Sequence, residues 1–163
     1  MAEGILKKML KENKLGNFEV SSAGIVALDG APASLLALEV CKARNVNLAQ
    51  HRSRQFNKQI LKKADLILAM SNEHLEQVRK TDKNALERTC LLKTFPESHS
   101  TKTGQRLVAS NDDGKESVLY IKDPIGGTKD DYQRCFLEIE KEIKRIFPEL
   151  ISLANQKNLK NRS

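Results

Sequence analysis

Apolar and polar positions along this chain follow two rhythms, one helical and one of short buried strands. In residues 2–14, Ile5, Leu6, Met9 and Leu10 fall on one face and Lys7, Lys8 and Lys11 on the other. That spacing predicts an amphipathic helix, which Gly16 is placed to end. Residues 18–22 (Phe-Glu-Val-Ser-Ser) read as a short strand. A loop through Gly30 follows, and Pro32 suits the first turn of a second helix reaching about Asn45. Beyond the polar stretch 50–55, a short helix carries Ile60 and Leu61. Residues 66–70 (Leu-Ile-Leu-Ala-Met) are the clearest strand, a continuous apolar run as expected where both faces are covered.

Another helix is expected over 72–80 and a weaker strand at 90–92. Residues 96–117 are rich in Ser, Thr, Asn, Asp and Gly and read as a polar surface insertion. In the last helix Tyr132, Phe136, Ile139, Ile143 and Ile146 form one stripe. Thr128 is its expected N-cap, and Asp130 and Asp131 favour the helix dipole in the first turn. Strands alternating with helices predict a parallel sheet in a three-layer α/β/α domain over 1–154, with a basic, fraying tail at 155–163. Such sheets place active sites at the carboxyl ends of their strands. Ser22, Ser71 and the loop leading to Asp123 are expected there.

A length of 163 residues suits one domain with a real core, and 39% hydrophobic and 30% charged residues suit a soluble protein. No apolar run approaches a membrane span, and the first residues form no secretory signal. Three widely spaced cysteines make neither a disulfide frame nor a metal site, so a reducing cytoplasm is expected. The net charge of +7 favours an anionic partner such as a phosphorylated substrate. No basic cluster is interleaved with aromatics, which argues against nucleic acid.

The chemistry concentrates in Asp123-Pro124-Ile125-Gly126-Gly127-Thr128. Proline fixes its own φ and biases Asp123 towards an extended conformation. The glycines allow a turn few other residues could make. A carboxylate held on such a loop, at the mouth of a helix, suits general-acid chemistry.

Five fragments then occur in order: Met1-Ala2-Glu3-Gly4, Ser21-Ser22-Ala23-Gly24, His51-Arg52-Ser53-Arg54-Gln55, Ala64-Asp65-Leu66-Ile67-Leu68-Ala69-Met70 and Asp123-Pro124-Ile125-Gly126-Gly127. Together they resemble the low molecular weight protein-tyrosine phosphatases, over roughly residues 1–147 apart from the insertion. The resemblance implies a hydrolase that cleaves phosphotyrosine on a protein substrate through a cysteinyl-phosphate intermediate, with no metal and no cofactor, working as a monomer. It implies that Asp123 is the general acid and then the base that activates water. Ser22 and His51 match positions that hydrogen-bond to the phosphate loop, and Leu28 and Ile125 match the pocket walls. Those walls are often aromatic in tyrosine-specific members. Aliphatic walls keep open the related protein-arginine phosphatases, which share the Asp-Pro-x-Gly-Gly pattern.

One departure is large. Family members carry a buried strand and a Cys-x5-Arg-Ser loop followed by Pro-Met-Ala-Glu, and this sequence starts at that methionine. Six residues after Cys41, Cys90 and Cys135 stand Asn47, Pro96 and Lys141, so none offers the Cys-x5-Arg spacing. The reaction needs a thiolate of lowered pKa with an arginine fork on the phosphoryl oxygens. In the family's strand order the missing strand is central, and losing it forfeits burial comparable with a domain's whole stability. The expectation is a longer product with a misassigned start, or a decayed fragment, and a chain inactive as given. Two other readings stay open: a catalytically dead module binding phosphoproteins or other anions, and an arsenate reductase, for which Cys90 alone is suitably placed. Cys41, Cys90 and Cys135 otherwise read as small packing residues.

Overall fold

A computed structural model of the chain describes residues 1–96 and 119–160, with side chains in the last helix as far as Gln156. The expected insertion at 96–117 lies outside the described residues except for Pro96. Two compact units divide the chain: Met1–Arg54 with Pro124–Ser163, and Gln55–Asp123.

The first unit is built on three helices, α1 (Ala2–Glu12), α2 (Leu35–Lys42) and α5 (Lys129–Lys160), with α5 packed against both others. The stripe read from the sequence faces inward: Tyr132, Phe136, Ile139, Ile143 and Ile146 are all buried. Against it lie Ile5 and Leu10 of α1, Val40 and Cys41 of α2, and Val46 and Leu48 beyond it. The Arg44 guanidinium sits 5.3 Å from the centre of the Phe136 ring, close enough for a cation–π contact. At Gly4 the segment 46–48 comes so close that a Cβ would stand 2.5 Å from Leu48 Cδ2.

The second unit holds α3 (Lys58–Lys63), β1 (Ile67–Ala69), α4 (Asn72–Thr81), a short 3-10 helix (Lys83–Arg88) and β2 (Thr89–Leu91). The strands pair in parallel, with Leu68 opposite Cys90. Parallel strands need a crossover, and α4 with the 3-10 helix supplies it. Leu61, Val78 and Ala85 form its core cluster, with Phe56, Ile67 and Leu86 against it. Ile121 N–H donates to the Met70 carbonyl at 2.9 Å, so the chain re-enters at the carboxyl end of β1 two residues before Asp123.

Several expectations need correction. Residues 18–22 are not a strand: no backbone bond ties 18–21 to a neighbouring segment among the described residues, and a strand exists only through such a ladder. The sheet therefore has two strands among the described residues. Helix α1 ends before Gly16, because Lys14 takes the left-handed conformation, with φ 56°. Its neighbour Leu15 closes the end by donating to the Leu10 carbonyl at 2.9 Å. Helix α2 starts after Ser34, whose hydroxyl accepts the Ala37 N–H and so outcompetes Pro32 as the start signal. The last helix continues past Ala154 to Lys160.

Candidate active site

The Asp123 loop folds as its residues dictate. Gly127 N–H donates to the Pro124 carbonyl at 2.9 Å, closing a tight turn with Gly126 at its third position, φ +74°. A left-handed third position favours glycine. Gly127 is needed for a different reason: a Cβ there would meet the Pro124 carbonyl oxygen and Asp131 Oδ2, each at 2.9 Å. Asp123 itself is exposed, and Ile125 at the tip of the turn is 80% exposed.

Thr128 is the N-cap the sequence predicts, and it forms a reciprocal capping box. Its hydroxyl accepts from the Asp131 N–H at 3.3 Å, while its own N–H and hydroxyl donate to Asp131 Oδ2 at 2.8 and 2.7 Å. Those bonds, together with Arg134 at 2.7 Å, hold the Asp131 carboxyl down at about 2. The start of α5 is further tied to α2: the Ser34 hydroxyl donates to the Tyr132 hydroxyl at 3.2 Å, and Lys129 pairs with Glu39 at 3.1 Å.

Ser22 and His51 are brought together by a residue the sequence reading passed over. The Ser22 hydroxyl donates to Glu3 Oε2 at 2.6 Å, and His51 Nδ1 lies 3.6 Å from the same oxygen. Lys7, read as part of a solvated face, donates to Glu3 Oε1 at 2.5 Å. Glu3 stood in the quoted Met1-Ala2-Glu3-Gly4 fragment, the one signal that pointed to it. Glu3, Lys7 and His51 border an open cavity of about 610 Å³, also lined by residues 18–21 and Arg54.

Burial works to raise the Glu3 carboxyl's pKa, but the Lys7 and Ser22 hydrogen bonds and the Lys7 charge outweigh it, leaving it below the ordinary value. For His51, burial prevails over the attraction of Glu3, so its pKa lies below the usual one. At neutral pH the 3.6 Å contact is thus carboxylate to neutral imidazole, not an ion pair. When pH falls below about 6.5, the unfolded chain protonates this histidine before the folded one does. Its stabilising share is complete above that pH and drains away towards the folded pKa. Glu3 acts in the same sense at lower pH, its share being lost as pH falls through its depressed value. Urea unfolding should therefore show stability declining from pH 7 to pH 5, with a shallower decline in His51→Gln. An identical slope in the variant would clear His51 as the source.

Leu28 stands 79% exposed on the loop between Gly24 and Gly30. Cys41, Cys90 and Cys135 are all buried, and none of them is in a disulfide. Burial raises the Cys41 pKa against the opposing charge of the chain's amino terminus, so it stays a thiol and not a nucleophilic thiolate. Among the described residues, no three His, Cys, Asp or Glu side chains cluster closely enough to hold a metal ion. No described helix is long and apolar enough to cross a membrane.

Comparison with known proteins places these features in a class. Residues 1–159 match the family described as low molecular weight phosphotyrosine protein phosphatase, and the chain belongs to that family of protein phosphatases, a class of hydrolases. A protein-arginine-phosphatase of Geobacillus stearothermophilus is 31% identical over 142 residues, covering 87% of this chain and 83% of the relative. The low molecular weight protein-tyrosine-phosphatase Etp of Escherichia coli is 36% identical over 69 residues, 42% of this chain and about half (47%) of the relative. Among solved structures, the YwlE arginine phosphatase from Geobacillus stearothermophilus superposes with a TM-score of 0.72 at 28% identity, over 95% of this chain and 86% of that one. The chain thus has the low molecular weight phosphatase fold, its described residues comprising helices and one small two-stranded parallel sheet.

Proposed function

We propose that this chain carries the scaffold and the general acid of a phosphatase acting on phosphorylated protein. The observation that carries the reading is the Asp123 loop: a carboxylate directly before a proline, on a turn that Gly126 and Gly127 make possible and a capping box anchors. In this reading Asp123 protonates the leaving atom of the substrate and then activates water against the cysteinyl phosphate. Ser22 and His51, gathered on Glu3, form the support on which the phosphate-binding loop rests. No cysteine among the 163 residues has an arginine six positions on, so this reading assigns the chain the acid and the support and no nucleophile.

Phosphotyrosine is the substrate implied by the family's description. Phosphoarginine is favoured by two observations: the arginine-phosphatase relative aligns over 87% of the chain, and the proposed walls Leu28 and Ile125 are aliphatic. A slim guanidinium phosphate needs no aromatic platform, whereas a phenyl ring gains from one. The test uses the chain completed with an apolar strand and a Cys-x5-Arg-Ser-Pro loop ahead of Met1. Its kcat/KM is expected to be higher on arginine-phosphorylated protein than on a phosphotyrosine peptide, and Leu28→Trp is expected to move the preference towards phosphotyrosine. A completed enzyme that prefers phosphotyrosine would return the assignment to the tyrosine-specific members. One that binds phosphopeptide saturably without turnover would favour the binding-module reading.

A further inference from the structure

Ser53 and Arg54 form a strap bonded repeatedly to the loop 22–31. Gly24 N–H donates to the Arg54 carbonyl at 3.0 Å, Gly30 N–H to the Ser53 carbonyl at 2.9 Å, and Ser53 N–H to the Ala31 carbonyl at 2.8 Å. Two side chains reinforce these backbone bonds. Arg54 Nε donates to the Ser22 carbonyl at 3.2 Å, and the Ser53 hydroxyl donates to the carbonyl of Leu28. The loop so fixed presents Val26, 94% exposed, and Leu28, 79% exposed.

Bulky apolar side chains held in water are costly, because burying either would gain roughly 1.5–3 kcal/mol. An untethered loop of this composition would fold them inwards. The bonds at both ends of the loop, and at Leu28 itself, deny it that collapse. Val26 and Leu28 thus stand two residues apart on one fixed loop, an exposed apolar pair available for contact.

We propose that Ser53 and Arg54 are positioning residues for the substrate wall, holding the loop 22–31 so that Leu28 faces the phosphorylated side chain. This rests on the phosphatase reading above, in which Leu28 lines the pocket. Ser53 is the sharper case, since its hydroxyl grips the carbonyl of the wall residue. Neither residue touches the reacting atoms in this proposal.

Thermolysin, which cuts ahead of bulky apolar residues in locally opened chain, reads the tether directly on the 163-residue polypeptide. Ser53→Ala is expected to speed cleavage ahead of Val26 and Leu28 about tenfold, the effect of one lost hydrogen bond. Amide exchange at Ile139 and Ile143 in α5 is expected to stay as in the parent chain. Ser53→Thr, which keeps the hydroxyl, is expected to restore slow cleavage. Equal cleavage of the parent and Ser53→Ala overturns the proposal. So does α5 exchange that accelerates in step with the loop, or a parent chain cut equally everywhere. Failure of the phosphatase reading would show separately, as a completed chain that turns over neither phosphotyrosine nor phosphoarginine, and would leave the cleavage result standing.

Discussion

The 163-residue polypeptide is expected to leave p-nitrophenyl phosphate intact, and the form completed with a Cys-x5-Arg-Ser-Pro loop is expected to hydrolyse it. All three native thiols are buried, and Cys41 is held protonated, so none can attack phosphorus. In the completed form, Asp123→Asn is expected to lower kcat by about 10²–10⁴, the usual worth of a positioned acid–base group. KM should move little, because the carboxyl assists bond breaking more than binding. The comparison is a steady-state assay of the two completed enzymes. Turnover by the native 163 residues, abolished by Asp123→Asn, would show that a nucleophile exists where none is visible. A completed Asp123→Asn enzyme within threefold of its parent would remove the aspartate from the chemistry.

Phe136→Ala is expected to cost about 3–5 kcal/mol of folding free energy, the range for emptying a large aromatic site. Phe136 is fully buried at the centre of the α5 stripe, in the unit where α5 meets both α1 and α2. Its removal deletes dispersion contacts on every side and takes away the ring beneath the Arg44 guanidinium. Against a typical domain stability of about 5–15 kcal/mol, that loss leaves many molecules unfolded at 37 °C. Urea titration followed by far-ultraviolet circular dichroism measures it. Phe136→Leu should recover more than half of the loss, since it refills most of the volume. A cost below about 1 kcal/mol for the alanine variant would mean that the helices close over the gap and that the stripe is loosely packed.

The parts legible in the sequence are those whose causes are local. The α5 stripe repeats at helical spacing, and Thr128 with Asp131 carries its own capping signal, so the helix and its start are found where the pattern puts them. The apolar run at 66–70 announces β1 by its continuity, although Ile67 and Leu68 are half-buried and only Ala69 of the strand is fully covered. Residues 18–22 have equally strand-like chemistry but no ladder, since strand formation depends on a neighbour that local composition does not contain. The start of α2 turned on a choice between two valid signals, Pro32 and Ser34, which only the hydroxyl's bond to Ala37 decides.

The site divides in the same way. The Asp123 turn is written in its own glycines. Glu3 is not legible as an anchor, because its partners Ser22 and His51 are distant in sequence and meet it only through folding. The fragment His51-Arg52-Ser53-Arg54-Gln55 was recognisable as a pattern, yet the tether it forms consists mainly of main-chain bonds, which side-chain identity does not reveal.

Asp131 keeps its charge down to about pH 2, well below where ordinary carboxylates take up a proton. The knot it ties with Thr128 therefore survives mild acidification. A loss of stability in mildly acidic solution would then have to originate elsewhere, in the Glu3 and His51 cluster, while the turn that follows Asp123 stays anchored.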